Sequence, residues 1–168
     1  MAHGTFEFQM PAPSAVVFDA FHYHAWRLRW DSLVENTRVE GGAPCPSVGA
    51  VTVSGGKGWM QGLSMHTRFV SYSPPSLAAA TMVGTAFPFS RWAASMRHRD
   101  SGEGRSILLY TYTLEAGPGF LMRCIEPLID AVFRHQTRKR FARLQAFLAQ
   151  HASDVEQWQA EGRRNVSF

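Results

Sequence analysis

The spacing of apolar positions changes character three times along this chain. Residues 5–10 alternate, with Phe6, Phe8 and Met10 on one side and Thr5, Glu7 and Gln9 on the other, which predicts a half-buried strand. Pro11 and Pro13 end it. Pro13 suits the first turn of a helix, where the missing N–H has no intrahelical acceptor to lose. Val16, Val17, Phe18, Ala20 and Phe21 give that helix an apolar side, and a second short helix is predicted over 25–30, where Asp31-Ser32 either ends it or opens the next strand.

Turn-forming clusters at 41–46, 54–58, 73–76, 87–89 and 100–104 then divide the chain into about six runs of strand length, rich in Val, Thr, Tyr, Phe and Trp. Antiparallel hairpins are the economical connection, because parallel strands would need crossover helices for which no sequence remains. Within 59–72, Trp59, Leu63, Met65, Thr67 and Phe69 share the face expected to point inward, and Ser64, His66, Arg68 and Tyr72 share the other. Trp92, Met96 and His98 form a second alternating set. Over 107–114 the candidate inner set is Leu108, Tyr110, Tyr112 and Leu114, with Ile107 and Leu109 competing for that role.

The last change is to helical spacing. Gly117-Pro118-Gly119 turns the chain into a helix over 120–150, whose stripe of Leu121, Ile125, Leu128, Ile129, Val132 and Phe133 is expected to be buried. Phe141, Leu144, Phe147 and Leu148 continue the stripe after a drift around the axis, and Pro127 is expected to bend the helix. Residues 152–168 are polar apart from Trp158, Val166 and Phe168, and read as a frayed helical extension or tail of a single domain over 1–151. The fold class expected is α+β: a curved antiparallel sheet of about seven strands around one long C-terminal helix, with two short helices after the first strand. A helix laid over a concave sheet can enclose an apolar small molecule.

At 168 residues the chain can bury a substantial core. No run reaches membrane-spanning length; the best candidate, 120–133, is broken by Arg123, Glu126, Pro127 and Asp130. The first residues lack the apolar core of a signal peptide, so the expected compartment is the cytoplasm. Cys45 and Cys124 are expected as two reduced thiols. The net charge of +4 is partly local, with Arg134, Arg138, Lys139, Arg140 and Arg143 spread around the last helix. These cations suit a solvated surface and the helix C-terminus, and they leave nucleic acid or an anionic surface open.

The order of parts and several local residues resemble the START-like, or SRPBCC, superfamily, in its polyketide cyclase/dehydrase branch. The residues that carry the likeness are Pro13 with Val17-Phe18, Trp30-Asp31, Gly49 in the expected third strand and Pro74-Pro75. Gly104 with Leu109-Tyr-Thr-Tyr112, and Arg140-Phe-Ala-Arg-Leu144 on the last helix, complete it. It covers roughly residues 4–150. The resemblance implies a helix-grip (Bet v 1-like) fold with a cavity between helix and sheet for lipids, sterols, polyketides or quinones. It implies no transferable catalytic motif.

Candidate ligand contacts on the expected inner faces are Trp59, Leu63, Met65, Phe69, Trp92, Met96, Leu128 and Val132; the same residues could instead fill the core. Tyr110, Tyr112 and Arg91 are candidate polar anchors, each weighed against a satisfied core hydroxyl or a surface cation. His66 and His98 are candidates for an acid or base and also for ordinary structural roles. His22 and His24 diverge on a helix, and no carboxylate or Cys cluster has ligand spacing, so no metal and no cofactor is expected. Gly55-Gly-Lys-Gly58 lacks the spacing of a phosphate loop. The favoured function is binding or transport of a hydrophobic small molecule. The alternatives are a polyketide cyclase or dehydratase, and an RNA- or protein-interaction module built on the basic last helix.

Overall fold

The computed structural model describes residues 1–57 and 64–163, so Trp59 and Leu63 lie outside the described residues. In chain order the elements are β1 (Ala2–Met10), α1 (Ser14–His22), α2 (His24–Trp30), β2 (Val34–Val39) and β3 (Val51–Gly56). There follow β4 (Ser64–Ser73), β5 (Leu77–Met82), β6 (Phe89–Gly102), β7 (Arg105–Ala116) and α3 (Phe120–Ala160). The strands form one seven-stranded sheet in the order β1-β7-β6-β5-β4-β3-β2, antiparallel throughout. The first strand thus closes against the last, and every other neighbouring pair is consecutive in sequence.

α1 begins directly after Pro13, as the proline predicts. Extended Tyr23 separates it from α2, and the Trp30 indole N–H donates to the Ala20 carbonyl at 2.9 Å, folding α2 back on α1. The predicted inner set of β7 is buried: Leu108, Tyr110, Tyr112 and Leu114 face Phe6 and Met10 of β1 and Phe141, Leu144 and Leu148 of α3. Val17, Phe21, Trp26 and Trp30 complete this core from the helices.

At the α2–α3 contact lies a buried ion cluster. The Asp31 carboxylate accepts from Arg27 Nε at 3.1 Å, from Arg140 Nε at 2.9 Å and from Arg140 Nη2 at 2.5 Å. Both guanidinium groups lie over the Phe21 ring, at 5.1 and 5.0 Å. Two cations share one carboxylate. The Asp31 carboxyl is held below its ordinary range by Arg140 and Arg27 against the opposing effect of burial. Burial and the Arg140 charge lower Arg27 to about 10.

Four expectations change. A bulge in β4 between Phe69 and Ser71 shifts the register by one residue, so Tyr72 turns inward beside Ala78 instead of outward. Gly49 lies in the turn before β3 with φ of 83°, a conformation that favours glycine, and not within the strand. The helical extension over 152–160 is packed and not frayed, with Val155 and Trp158 in the core and the Gln159 amide donating to Asp19 at 2.6 Å. Most consequentially, Leu128 and Val132 are exposed, at 65% and 42%. At 3.6 residues per turn, Leu128 lies about 160° around the helix from Leu144. Since Phe141, Leu144 and Leu148 set the rotation of α3 on the sheet, the stripe of 121, 125, 128 and 132 faces away from it.

Leu144→Ala is therefore expected to cost about 2–5 kcal/mol in chemical denaturation, whereas Leu128→Ala should stay within about 0.5 kcal/mol. A second expectation concerns acid. His98, neither of whose ring nitrogens has a hydrogen-bond partner among the described residues, is lowered by burial to about 4. Burial likewise lowers His22 to about 3, although its ring nitrogen is bonded to the Phe18 carbonyl. An unfolded histidine titrates near 6.5, so between that pH and about 4 the unfolded chain binds the extra protons. Stability should fall as pH falls through this window, and His98→Phe should flatten the slope of unfolding free energy against pH.

Candidate functional site

α3 lies over β1 and β7 and does not reach across the whole sheet. Phe141 contacts Phe8 and Tyr110 with ring centroids 4.7 and 5.2 Å apart, Phe133 contacts Tyr112 at 4.6 Å, and the Gln145 amide donates to the Gln9 carbonyl at 2.7 Å. One end of the remaining inner face is covered by α1, where Phe18 and His22 pack on Phe69, Tyr72 and His98. Further along β4, β5 and β6, the inward residues Met65, Thr67, Ala80, Trp92 and Ala94 remain only half-buried. This strip of the inner face, bounded by α1, α3 and the inner wall of β7 and covered by neither helix, is the candidate groove.

The polar group of the groove wall is built from two elements. Tyr112 of β7, 1% exposed, donates its hydroxyl to Asp130 Oδ1 of α3 at 2.5 Å, and Arg134 Nη1 reaches the same hydroxyl at 3.5 Å. Asp130 and Arg134 are one helical turn apart and both half-buried. Burial, and then the bond to Asp130, push the Tyr112 phenol up to about 12, so it remains a neutral donor. The arrangement presents a carboxylate acceptor fixed by a phenol, with a guanidinium beside it. It can orient a ligand hydroxyl or carbonyl.

Gly4 makes room for this group. It pairs with Tyr112 across the β1–β7 ladder, and a Cβ placed on it would meet the Tyr112 ring and hydroxyl at 2.5–2.8 Å. A side chain of any kind there would displace the ring.

Of the anticipated residues, Met65 and Trp92 lie on the groove floor and Phe69 lies under α1, half-buried like them. Met96 and Tyr110 are buried in the core. Arg91 does not enter the groove. A bulge between Phe89 and Arg91 precedes its pairing with Glu115; the side chain is 81% exposed and its Nε lies 3.7 Å from that carboxylate on the outer face. Leu128 and Val132 are likewise turned away. His66 is an exposed partner of Glu40 at 3.5 Å. Sequence pattern alone does not mark Asp130, Arg134 or Gly4 as site residues. Glycine within an apolar alternating strand signals a close approach, but nothing local connects Asp130 or Arg134 to a tyrosine 18 or 22 residues away. No group of three or more metal-ligating side chains occurs among the described residues.

Two hollows, of about 530 and 240 Å³, open on the convex face of the sheet. The larger is bordered by Glu7, Arg97, Arg99 and Leu109, the smaller by Ala79, Thr81, Ala93 and Thr111, with Ala80, Ala94 and Tyr112 also reaching its edge. Neither includes Asp130 or Arg134.

Gly4→Ala is expected to break the Tyr112–Asp130 hydrogen bond while the protein stays folded. The hydroxyl proton resonance of Tyr112, slowed in exchange by the bond in the parent protein, should become unobservable in the variant. Survival of that resonance unchanged would show that the ring has room to spare.

Seven-stranded sheets gripping a long helix in this way occur in several solved structures. A conserved protein from Geobacillus kaustophilus superposes with a TM-score of 0.70 at 13% identity, over 89% of this chain and 97% of that one. The di-domain ARO/CYC BexL of the BE-7585A biosynthetic pathway superposes with a TM-score of 0.71 at 12% identity, over 90% of this chain and 47% of that one. A point mutant of norcoclaurine synthase from Thalictrum flavum, in complex with a transition-state analogue, gives 0.61 at 12%, over 89% and 95%. At these identities the likeness is one of fold. No curated protein matches the chain in sequence. Residues 1–152 match the family described as polyketide cyclase/dehydrase and lipid transport. With nearly the whole described fold inside that match, the chain belongs to the polyketide cyclase/dehydrase and lipid transport family.

Proposed function

We propose that this chain binds or carries a hydrophobic or amphipathic small molecule in the groove between α3 and the inner face of β4–β6. The observation that carries this reading is the half-covered floor of Met65, Thr67, Ala80, Trp92 and Ala94 beside a wall whose polar group is Asp130. An apolar surface with one or two fixed polar groups suits a ligand with an extended apolar body and a hydroxyl, carbonyl or carboxyl end. The family description, which includes lipid transport, supports the same class of cargo.

A second reading is favoured by the Tyr112–Asp130 pair itself. A neutral phenol held against a carboxylate is an acid–base pair, and a polyketide-type chain folded along the floor would present its carbonyls to it. Cyclisation or dehydration is the chemistry such a pair supports. The likeness to an ARO/CYC protein points in the same direction.

A panel of quinones, fatty acids, sterols and aromatic polyketides should contain at least one saturable binder. Ala94→Trp fills the floor and should weaken that binder tenfold or more, while Ala93→Trp, one residue along on the outer face, should leave it unchanged. Equal effects of the two would move binding out of the groove. Asp130→Asn separates the two readings: a carrier loses affinity alone, and an enzyme loses turnover of a polyketide-type substrate with binding largely retained.

A further inference from the structure

The outward face of α3 divides into an apolar half and a cationic half. Leu121, Ile125, Leu128 and Val132 recur at spacings of four, three and four, and all are exposed, Leu121 at 72%. The stripe begins at Phe120, 85% exposed, and a second exposed ring, Phe87 at 71%, stands on the loop that the Gly117 N–H ties to the start of α3 by donating to the Pro88 carbonyl at 2.9 Å. Beyond Val132 the same arc carries the exposed cations Lys139 and Arg143. The acids of the first half of α3 are turned toward the sheet, Glu126 to the Ala116 N–H at 3.0 Å and Asp130 to Tyr112. No Asp or Glu occurs between Asp130 and Asp154. The core face of α3 is separately satisfied, so the stripe is not a displaced part of the interior.

We propose that this face docks α3 on an anionic lipid surface, the apolar half and the Phe87–Phe120 tip entering the acyl boundary and the cationic half meeting the headgroups. An amphipathic helix lying in a membrane interface needs these two features together. A second copy of the chain would supply apolar contact but no counter-charge: two such faces laid parallel set cation against cation, and laid antiparallel leave the cations facing no acid on the partner's stripe. Nucleic acid would match the cations and leave the stripe in water. An anionic bilayer complements both halves. The inference stands on the outer face of α3 alone and does not depend on what the groove binds.

Co-sedimentation with phosphatidylcholine vesicles, with and without phosphatidylserine, tests it on the purified full chain. The protein is expected to bind vesicles containing phosphatidylserine, to be released by salt, and to leave pure phosphatidylcholine vesicles largely unbound. Leu121→Gln/Leu128→Gln should abolish binding, and Lys139→Gln/Arg143→Gln should weaken it by about fivefold per cation removed. All four positions are exposed, so thermal unfolding should be unaltered, which confirms that both variants are folded. Absence of binding to phosphatidylserine vesicles, or binding undiminished in either folded variant, would overturn the proposal. So would a concentration-dependent dimer that the leucine variant dissociates and that does not bind vesicles, since that result assigns the face to a second copy.

Discussion

The placement of α3 depends on one carboxylate. Asp31 sits at the exit of α2, fully shielded from water, and holds Arg27 of its own helix and Arg140 of α3. A buried carboxylate in this position is tolerable only with both partners present, and two guanidinium groups this close are tolerable only with the carboxylate between them. The cluster therefore specifies one seating of α3 against α2, with Phe21 as the platform on which both cations lie. Phe141, one residue beyond Arg140, is then directed into the space between Phe8, Phe21 and Tyr110. Further along, Leu148, Val155 and Trp158 dock the end of the helix in the same core, with Trp158 against Tyr23 and Trp26.

A helix anchored by its second half must overhang with its first. Before residue 137 the contacts of α3 with the sheet are fewer and more polar: Phe133 on Tyr112 and Phe89, Asp130 on the Tyr112 hydroxyl, Glu126 on the backbone of Ala116. This overhang has two consequences. Its inner side puts a carboxylate beside an apolar floor that neither helix covers. Its outer side carries the apolar residues that a helix fully gripped by a sheet would have buried. The groove and the exposed stripe are thus two faces of the same geometrical fact.

Much of the frame was legible because it rests on local periodicity. Alternation in 5–10 and 107–114 assigned the inner faces of β1 and β7 correctly, and the proline and turn clusters separated the elements. Tyr72 departs from simple alternation because a bulge inserts one residue without any local marker and reverses every side chain beyond it. The stripe at 121–132 was misassigned for a different reason. Amphipathic spacing identifies a face but not what lies against it, and the rotation of α3 is decided by contacts between residues more than a hundred positions apart, such as Asp31 and Arg140. The spacing of Arg27 and Asp31, one turn apart on α2, was a readable hint of that ion cluster; the third member was not. In the same way Tyr112 was a natural candidate for a polar anchor, while its partners Asp130 and Arg134 come together with it only through the fold.

Groove binding is tested most directly by pairs of neighbouring alanines that point to opposite faces of the sheet. All four border the smaller outer hollow, but strand alternation points the Ala80 and Ala94 methyls to the concave floor and the Ala79 and Ala93 methyls to the convex face. Methyl NMR spectra recorded during titration with a spin-labelled fatty acid distinguish the two faces. Selective broadening of the Ala80 and Ala94 methyl signals, with Ala79 and Ala93 retained, is the result expected for a ligand held between α3 and the sheet. Selective broadening of Ala79 and Ala93, with Ala80 and Ala94 unaffected at saturation, would place the ligand on the convex face and contradict it.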